Sequence, residues 1–232
     1  MIDYTSNNRI VVLTSSYPKD SNDYSGRFVA HLSLRLASYF DIYILAPYSF
    51  GLFKKETKNN LRITRYKYWF GKKLVGDGEI MSNLKHNKRM YLQVIPFMLC
   101  QLIALRKLIK ENNIIAIHAH WLIPQSLIAV IYKMLFDKKI IILATVHGGD
   151  INNFTHFWNG SLLKFILNNI DGLTVVSHAV KNKVLEQGYK KEINVYPMGI
   201  DTKLFSPDKR NPDIKKNYNI DGPLILFVGG II

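Results

Sequence analysis

Two textures alternate along the chain. Short apolar, β-branched runs occur at Arg9–Thr14, Ile42–Ala46, Leu61–Tyr66, Ile114–His118, Ile140–Val146, Gly172–Val176 and Ile193–Tyr196. Continuous apolar runs of this length are expected of parallel strands buried on both faces. Between several of them the apolar positions recur at helical spacing. Phe28, Val29, Leu32, Leu36 and Ala37 mark the stripe of a helix ending near Phe40. Further helices are expected over Tyr91–Lys110, Leu122–Phe136, Leu162–Asn168 and Ala179–Gln187. Strands alternating with helices through short connections predict an α/β fold, a doubly wound, Rossmann-like parallel sheet with helices on both faces. No internal repeat and no low-complexity tract interrupts the pattern.

Past Tyr196 the periodicity fades and Pro197, Gly199, Pro207, Pro212, Gly222 and Pro223 punctuate a charged stretch. Leu224–Val228 then reads as one more buried-type strand, running into Gly229-Gly230. The expected organisation is a lobe over residues 1–198, a linker over residues 199–222, and the opening strand of a second, incomplete lobe over residues 223–232. Met90–Leu105 is uncharged and mostly apolar but carries Gln93, Pro96 and Gln101 and ends at Arg106. It falls short of the ~18–20 apolar residues of a membrane span, so a buried helix is expected there.

Composition narrows the class. With 48% hydrophobic residues the chain is globular rather than disordered. The lone Cys100 excludes a disulfide scaffold and a cysteine-based zinc finger. The first eight residues have neither a basic nor an apolar leader region, which makes a cytosolic location the expectation. Charge adds a second feature. Of the formal +14, a large share comes from Lys54–Arg89, where eleven basic residues face Glu56, Asp77 and Glu79. Lys54, Lys55, Arg62, Arg65, Lys67, Trp69, Lys72 and Lys73 are the candidate residues of a membrane-facing patch. Cations mixed with aromatics suit an anionic membrane or a nucleic acid. A solvated lysine-rich loop explains the same charges equally well.

Three groups could carry chemistry. Ser25-Gly26-Arg27-Phe28 opens the first helix, with Ser25 as a cap and Gly26 leaving the leading amides open to a phosphate. No Gly-x-Gly-x-x-Gly fingerprint occurs there, and a capped helix with a tight entry turn is the simpler reading. His118-Ala119-His120-Trp121 ends one strand, with the two imidazoles on one face. His147-Gly148-Gly149-Asp150 ends another. Both lie on the carboxyl rim, where open α/β sheets bind ligands. Ligand type admits a metal among His118, His120, His147 and Asp150, but a hydrogen-bonding pocket for a polar ligand is favoured, as neither a helical His-x-x-x-His nor a Cys pairing supports a metal. Rim imidazoles satisfied by backbone carbonyls are the plain alternative for His118. Ser177 is expected to cap a helix, and no Gly-x-Ser-x-Gly elbow supports a serine hydrolase.

Taken in order, several segments resemble retaining glycosyltransferases of family 4, whose GT-B architecture has two Rossmann-like lobes. They are Ser15–Pro18 with Gly26–Val29, Ile117–Trp121, Thr145–Asp150, Val175–Ser177, and Val195–Asp201 with Phe205-Ser206-Pro207. The Pro-x-Gly-x-Asp…Phe-x-Pro series resembles the family's inter-lobe linker. The resemblance implies an N-terminal lobe that binds the acceptor and a C-terminal lobe that binds a nucleotide-diphosphate sugar. It further implies transfer with retention, with the nucleotide sugar as co-substrate and neither metal nor other cofactor. Gly26 would offer its amide to the diphosphate. His147 would lie beside the reacting sugar with Asp150 in the same catalytic segment, and His120, Trp121 and His118 would line the acceptor side.

The implied acceptor is a cell-surface polysaccharide or lipid-linked glycan. The expected location is cytoplasmic, with the basic, aromatic stretch Lys54–Arg89 docking the lobe at the inner face of the membrane. One departure is that Gly230, not arginine, follows Gly229. The cations for the leaving diphosphate and the Glu-x7-Glu motif would come later than residue 232. The expectation is an acceptor lobe inactive alone, either truncated or completed by a separate C-terminal-lobe polypeptide. Two other readings remain at this stage. A basic nucleic-acid-binding module would follow from the charge alone. An unrelated Rossmann sugar-nucleotide enzyme lacks both its glycine fingerprint and a Tyr-x-x-x-Lys pair.

Overall fold

A computed structural model describes residues 8–20, 22–49, 51–52, 54–68, 74–75, 80, 84, 87–154 and 160–227. Two compact units divide it, Met1–Met198 and Gly199–Ile232. The first is built on an eight-stranded sheet. In chain order its strands are β1 (Arg9–Leu13), β2 (Asp41–Pro47), β3 (Lys55–Lys58), β4 (Leu61–Tyr66), β5 (Ala116–His120), β6 (Ile141–Val146), β7 (Gly172–Val175) and β8 (Asn194–Val195). They lie in the order β3-β4-β2-β1-β5-β6-β7-β8. Every pair is parallel except β3 with β4. Strand order turns back at β1, which pairs with β2 on one side and β5 on the other. A crevice at such a switch point is where a doubly wound sheet takes its ligand.

Alternation along the strands builds two cores. Val11 and Leu13 join Leu45, Phe97, Leu105 and Ile117 on one face. Val12 joins Val29, Ile42, Ile44 and Ile63 on the other. The first face is covered by the long helix α2 (Tyr91–Asn112) and by α3 (Leu127–Leu135); the second receives α1 (Arg27–Leu36). Three more helices follow: α4 (Gly149–Phe154), α5 (Ser161–Asn169) and α6 (His178–Glu186). As expected, Ser177 caps α6, its Oγ accepting from the Val180 N–H at 3.3 Å.

Several expectations are corrected. Gly26, not Ser25, is the N-cap of α1, and no side chain caps that helix. The Ser25 N–H instead donates to Asp23 at 2.9 Å. Helix α2 is not buried: only one face, with Phe97, Gln101, Leu105, Leu108 and Ile109, enters the core. The stretch expected as one helix over Leu122–Phe136 opens with an irregular wide turn, Leu122–Ser126, before α3. Sequence reading missed β3, which folds back on β4 through Asn59 and Asn60 at φ 50° and 63°. Paired positive φ values are what a two-residue hairpin turn demands, and asparagine tolerates them.

The second unit holds a short turn at Pro207–Lys209 and the one-turn helix α7 (Ile214–Asn217), with no buried residue in either. Leu224–Phe227 are exposed and in no strand, against expectation; Val228, Gly229 and Gly230 lie outside the described residues. A strand needs a neighbour to receive its amides, and the described residues of this second unit contain no other strand.

Candidate functional site

The carboxyl ends of β5 and β6 bring three histidines together. His118 and His120 project from the same side of β5, their ring centroids 4.5 Å apart. His147 follows β6 and stacks on His120 at 5.2 Å and 18°. Phe28, on the first turn of α1, lies 4.9 Å from the His147 ring, and Trp121 lies 4.9 Å from it. His147 is thus enclosed by three rings but is only half-buried, whereas His118 and His120 are 6% and 0% exposed. The two β5 histidines, expected on the acceptor side, form the buried floor of this cluster. Trp121 keeps partial exposure at the rim.

Burial sets the charge of the cluster. Loss of water around the rings pushes His118 and His147 down to about 4 and holds His120 well below its ordinary value. All three are neutral at pH 7. The hydrogen bonds then assign their protons. Thr174 donates to the Ala144 carbonyl (3.4 Å), so it accepts from the Thr145 hydroxyl (2.7 Å). Thr145 in turn accepts from His118 Nε2–H at 2.8 Å. His120 Nδ1 and His147 Nε2 lie 3.0 Å apart, and His120 Nε2 is buried with no partner. An orphaned acceptor costs less than an orphaned N–H, so His120 donates from Nδ1 and His147 carries its proton on Nδ1.

Asp150 fastens this rim. Its carboxylate is 4% exposed; one oxygen accepts from the Leu122 N–H at 2.9 Å and the other from the Gly148 N–H at 3.0 Å. Burial pushes its carboxyl up while four backbone N–H groups pull it down, and burial prevails. The residue joins the chain after β5 to the chain after β6. Across that junction Trp121 sits at φ 73°, a conformation costly for a bulky side chain. The Trp121 carbonyl accepts from Ser126 N and Oγ at 3.2 and 2.8 Å, and the Trp121 N–H donates to Thr145 O at 2.9 Å. The Gln125 amide, oriented to satisfy both neighbours, accepts from Ser15 N (3.2 Å) and donates to the His120 carbonyl (3.3 Å). Gln125 thereby links the β5 end to the loop after β1.

Gly26 stands where that loop becomes α1, at φ 66°. A Cβ there would lie 2.2 Å from the Ser16 carbonyl oxygen, so only glycine fits. The Thr14 hydroxyl holds the same loop, donating to Ser16 O at 2.8 Å and accepting from Ser16 N at 3.1 Å. Arg65 secures it from the far side. This residue, expected on a membrane-facing patch, is buried at 4% exposure and donates to Pro18 O at 2.8 Å with Glu56 at 3.5 Å. Its place between β4 and the loop explains why a cation is kept inside. Of the other patch residues, Lys55 pairs with Glu111, Arg62 with Asp41, and Lys67 lies over the Tyr48 ring. Lys54 is exposed, and Trp69, Lys72 and Lys73 lie outside the described residues. Of the expected patch, Arg65 alone is shown turned inward, while Lys55 and Arg62 stay partly exposed on the neighbouring strands β3 and β4.

Among the described residues no group of three His, Cys, Asp or Glu is placed to hold a metal ion. Of the donor atoms admitted for one by ligand type, His118 Nε2 is engaged with Thr145, His120 Nδ1 with His147 Nε2, and both Asp150 oxygens with backbone N–H groups.

Comparison with known proteins adds the lineage. Residues 25–204 match the family model described as Glycosyltransferase Family 4. The N-acetyl-alpha-D-glucosaminyl L-malate synthase of Bacillus anthracis is 27% identical over 137 residues, 58% of this chain and 35% of that protein. Sucrose-phosphate synthase (tll1590) from Thermosynechococcus elongatus shares the fold with a TM-score of 0.62 at 15% identity, over 91% of this chain and 53% of that one. The structure of "Trehalose-6-phosphate from E. coli bound with UDP-2-fluoro glucose" gives a TM-score of 0.54 at 12% identity, with 91% and 53% covered. The chain thus spans 35% of the curated relative's length and 53% of each of these two structures. The fold is that of the N-terminal lobe of a GT-B protein.

Proposed function

The chain belongs to glycosyltransferase family 4, and on that premise we propose that it forms the acceptor-binding lobe of an enzyme moving a sugar from a nucleotide diphosphate to a glycan. The observation that carries this reading is the placement of a neutral, half-buried His147 beside the entry turn of α1, at the sheet's switch point. Neutral imidazole with its proton on Nδ1 donates a hydrogen bond to a sugar hydroxyl without attracting a second anion. Gly26 brings an uncapped helix start to the same rim, suited to the diphosphate. His147 stands beside the reacting sugar, Trp121 offers an apolar face to the acceptor, and Asp150 holds both in register. A relative named as a glucosaminyl malate synthase and a fold neighbour bound to UDP-2-fluoro glucose support a nucleotide sugar as co-substrate.

The finer reading is transfer with retention, without metal, to a lipid-linked or cell-surface polysaccharide acceptor. It takes place in the cytoplasm at the inner face of the membrane. Charge developing on a departing diphosphate needs preorganised cations, and losing one such group raises the barrier by about 3 kcal/mol. This rim presents histidines that stay neutral. The 232 residues alone are therefore expected to transfer nothing and to need a donor-binding lobe, on the same polypeptide or a separate one.

The test supplies a family donor lobe, fused or in trans, and follows sugar release from nucleotide sugars with a lipid-linked acceptor, with and without EDTA. Retained product that EDTA leaves unchanged is expected, and His147→Ala should abolish it. Transfer by the isolated chain, or full activity of His147→Ala in the complete enzyme, would overturn the assignment.

A further inference from the structure

We propose that the outward face of α2 is the surface by which the protein lies on an anionic bilayer. Leu92, Ile95, Leu99 and Ile103 are 81%, 68%, 53% and 67% exposed. Spaced by three and four residues, they form one narrow stripe roughly 16 Å long. The helix is long and apolar enough to cross a membrane, but its opposite face, from Phe97 to Ile109, is locked into the core. Such a helix lies in the headgroup plane, apolar stripe inward, and does not span.

Charge identifies the occupant. The same helix ends in Arg106, Lys107 and Lys110 against a single carboxylate, Glu111, already paired with Lys55 and Lys107. Exposed Arg89 stands just before its first turn. Cations at both ends of an apolar stripe complement anionic lipid. A second copy of this chain, which carries a formal +14, would bring like charges together across the same face. The proposed contact is thus α2, with Arg65 of the expected patch turned inward. This deepens the peripheral placement proposed above and rests on it, but lipid binding is read without sugar transfer, so each can fail alone.

The experiment sediments the purified chain with phosphatidylcholine vesicles and with vesicles of equal parts phosphatidylcholine and phosphatidylglycerol. Binding to the anionic vesicles is expected to be at least about tenfold tighter and to weaken with salt. Leu92→Ser, Ile95→Ser, Leu99→Ser and Ile103→Ser combined should lower it roughly tenfold or more with the thermal midpoint unchanged. Leu99→Trp, in an otherwise intact chain, should add fluorescence that shifts to the blue on anionic vesicles; it decides the matter if the fourfold variant does not fold. Equal binding by parent and fourfold variant, no binding to either vesicle, or an unshifted Trp overturns the proposal. A dimer that the fourfold variant converts to monomer would assign the stripe to a second copy instead.

Discussion

His120 Nδ1 lies 3.0 Å from His147 Nε2, so the buried ring decides which nitrogen of the half-buried ring carries the proton. Replacing His120 by Phe keeps the stacked volume and removes the donor. Long-range 1H–15N correlation spectra should show His147 as one Nδ1–H tautomer in the parent and as a mixture in His120→Phe. An unchanged tautomer in the variant would mean that the pair is only a packing contact.

Asp150→Asn should destabilise the lobe by about 2–3 kcal/mol, because its NH2 must face one of two buried N–H donors. Asp150→Ala should cost at least as much. Urea unfolding at pH 7 measures both, and a loss below half a kcal/mol would deny the residue its fastening role.

Gly26→Ala combines a left-handed φ with a Cβ placed 2.2 Å from a backbone oxygen. A loss of roughly 2–4 kcal/mol is expected. Gly188→Ala provides the control, with φ 85° but nothing within 4 Å of its added carbon. It should cost only the backbone strain, about 1–2 kcal/mol.

Stability should fall as the medium is acidified. His118 and His147 titrate near 4 when folded and near 6.5 when unfolded, so the unfolded chain binds more protons between those values. Their stabilisation is present above pH 6.5 and lost as pH drops toward 4, on the order of 3 kcal/mol for each. Asp150, shifted upward, acts in the opposite sense but is one group against three. Thermal melts at pH 7, 5.5 and 4.5 test the slope, and His118→Gln should flatten it.

Ending the chain after Asn211 removes the exposed Leu224–Phe227 run, an apolar, β-prone segment with no charge. Solubility should rise while the far-UV spectrum and thermal midpoint of the lobe hold. Unfolding on deletion would show that the segment supports the first unit.

Much of this molecule could be read from local pattern. Seven strand-like runs announce seven strands, most clearly where a parallel strand buried on both faces is nearly all apolar, as in β1 and β2. The missed strand β3 is Lys55–Lys58, polar and on the sheet edge; only its Asn59-Asn60 turn carried a signal. Helix α2 looked buried because sixteen uncharged residues say nothing of which face meets the core. Arg65 looked like a surface cation because nothing nearby in sequence reveals Pro18 and Glu56 around its guanidinium.

By itself the sequence determined the α/β alternation, the carboxyl-rim position of His118, His120, His147 and Asp150, and the family resemblance. These follow from periodicity and short motifs, which are properties of neighbours along the chain. Only the tertiary structure decided that two of the histidines are floor and one faces outward, that Asp150 fastens two loops, and that α2 shows an apolar stripe to solvent. Burial and hydrogen-bond partnership depend on residues about 30 to 100 positions apart, as between His120 and His147 or Arg9 and Asn112, and such distances close only when the sheet assembles.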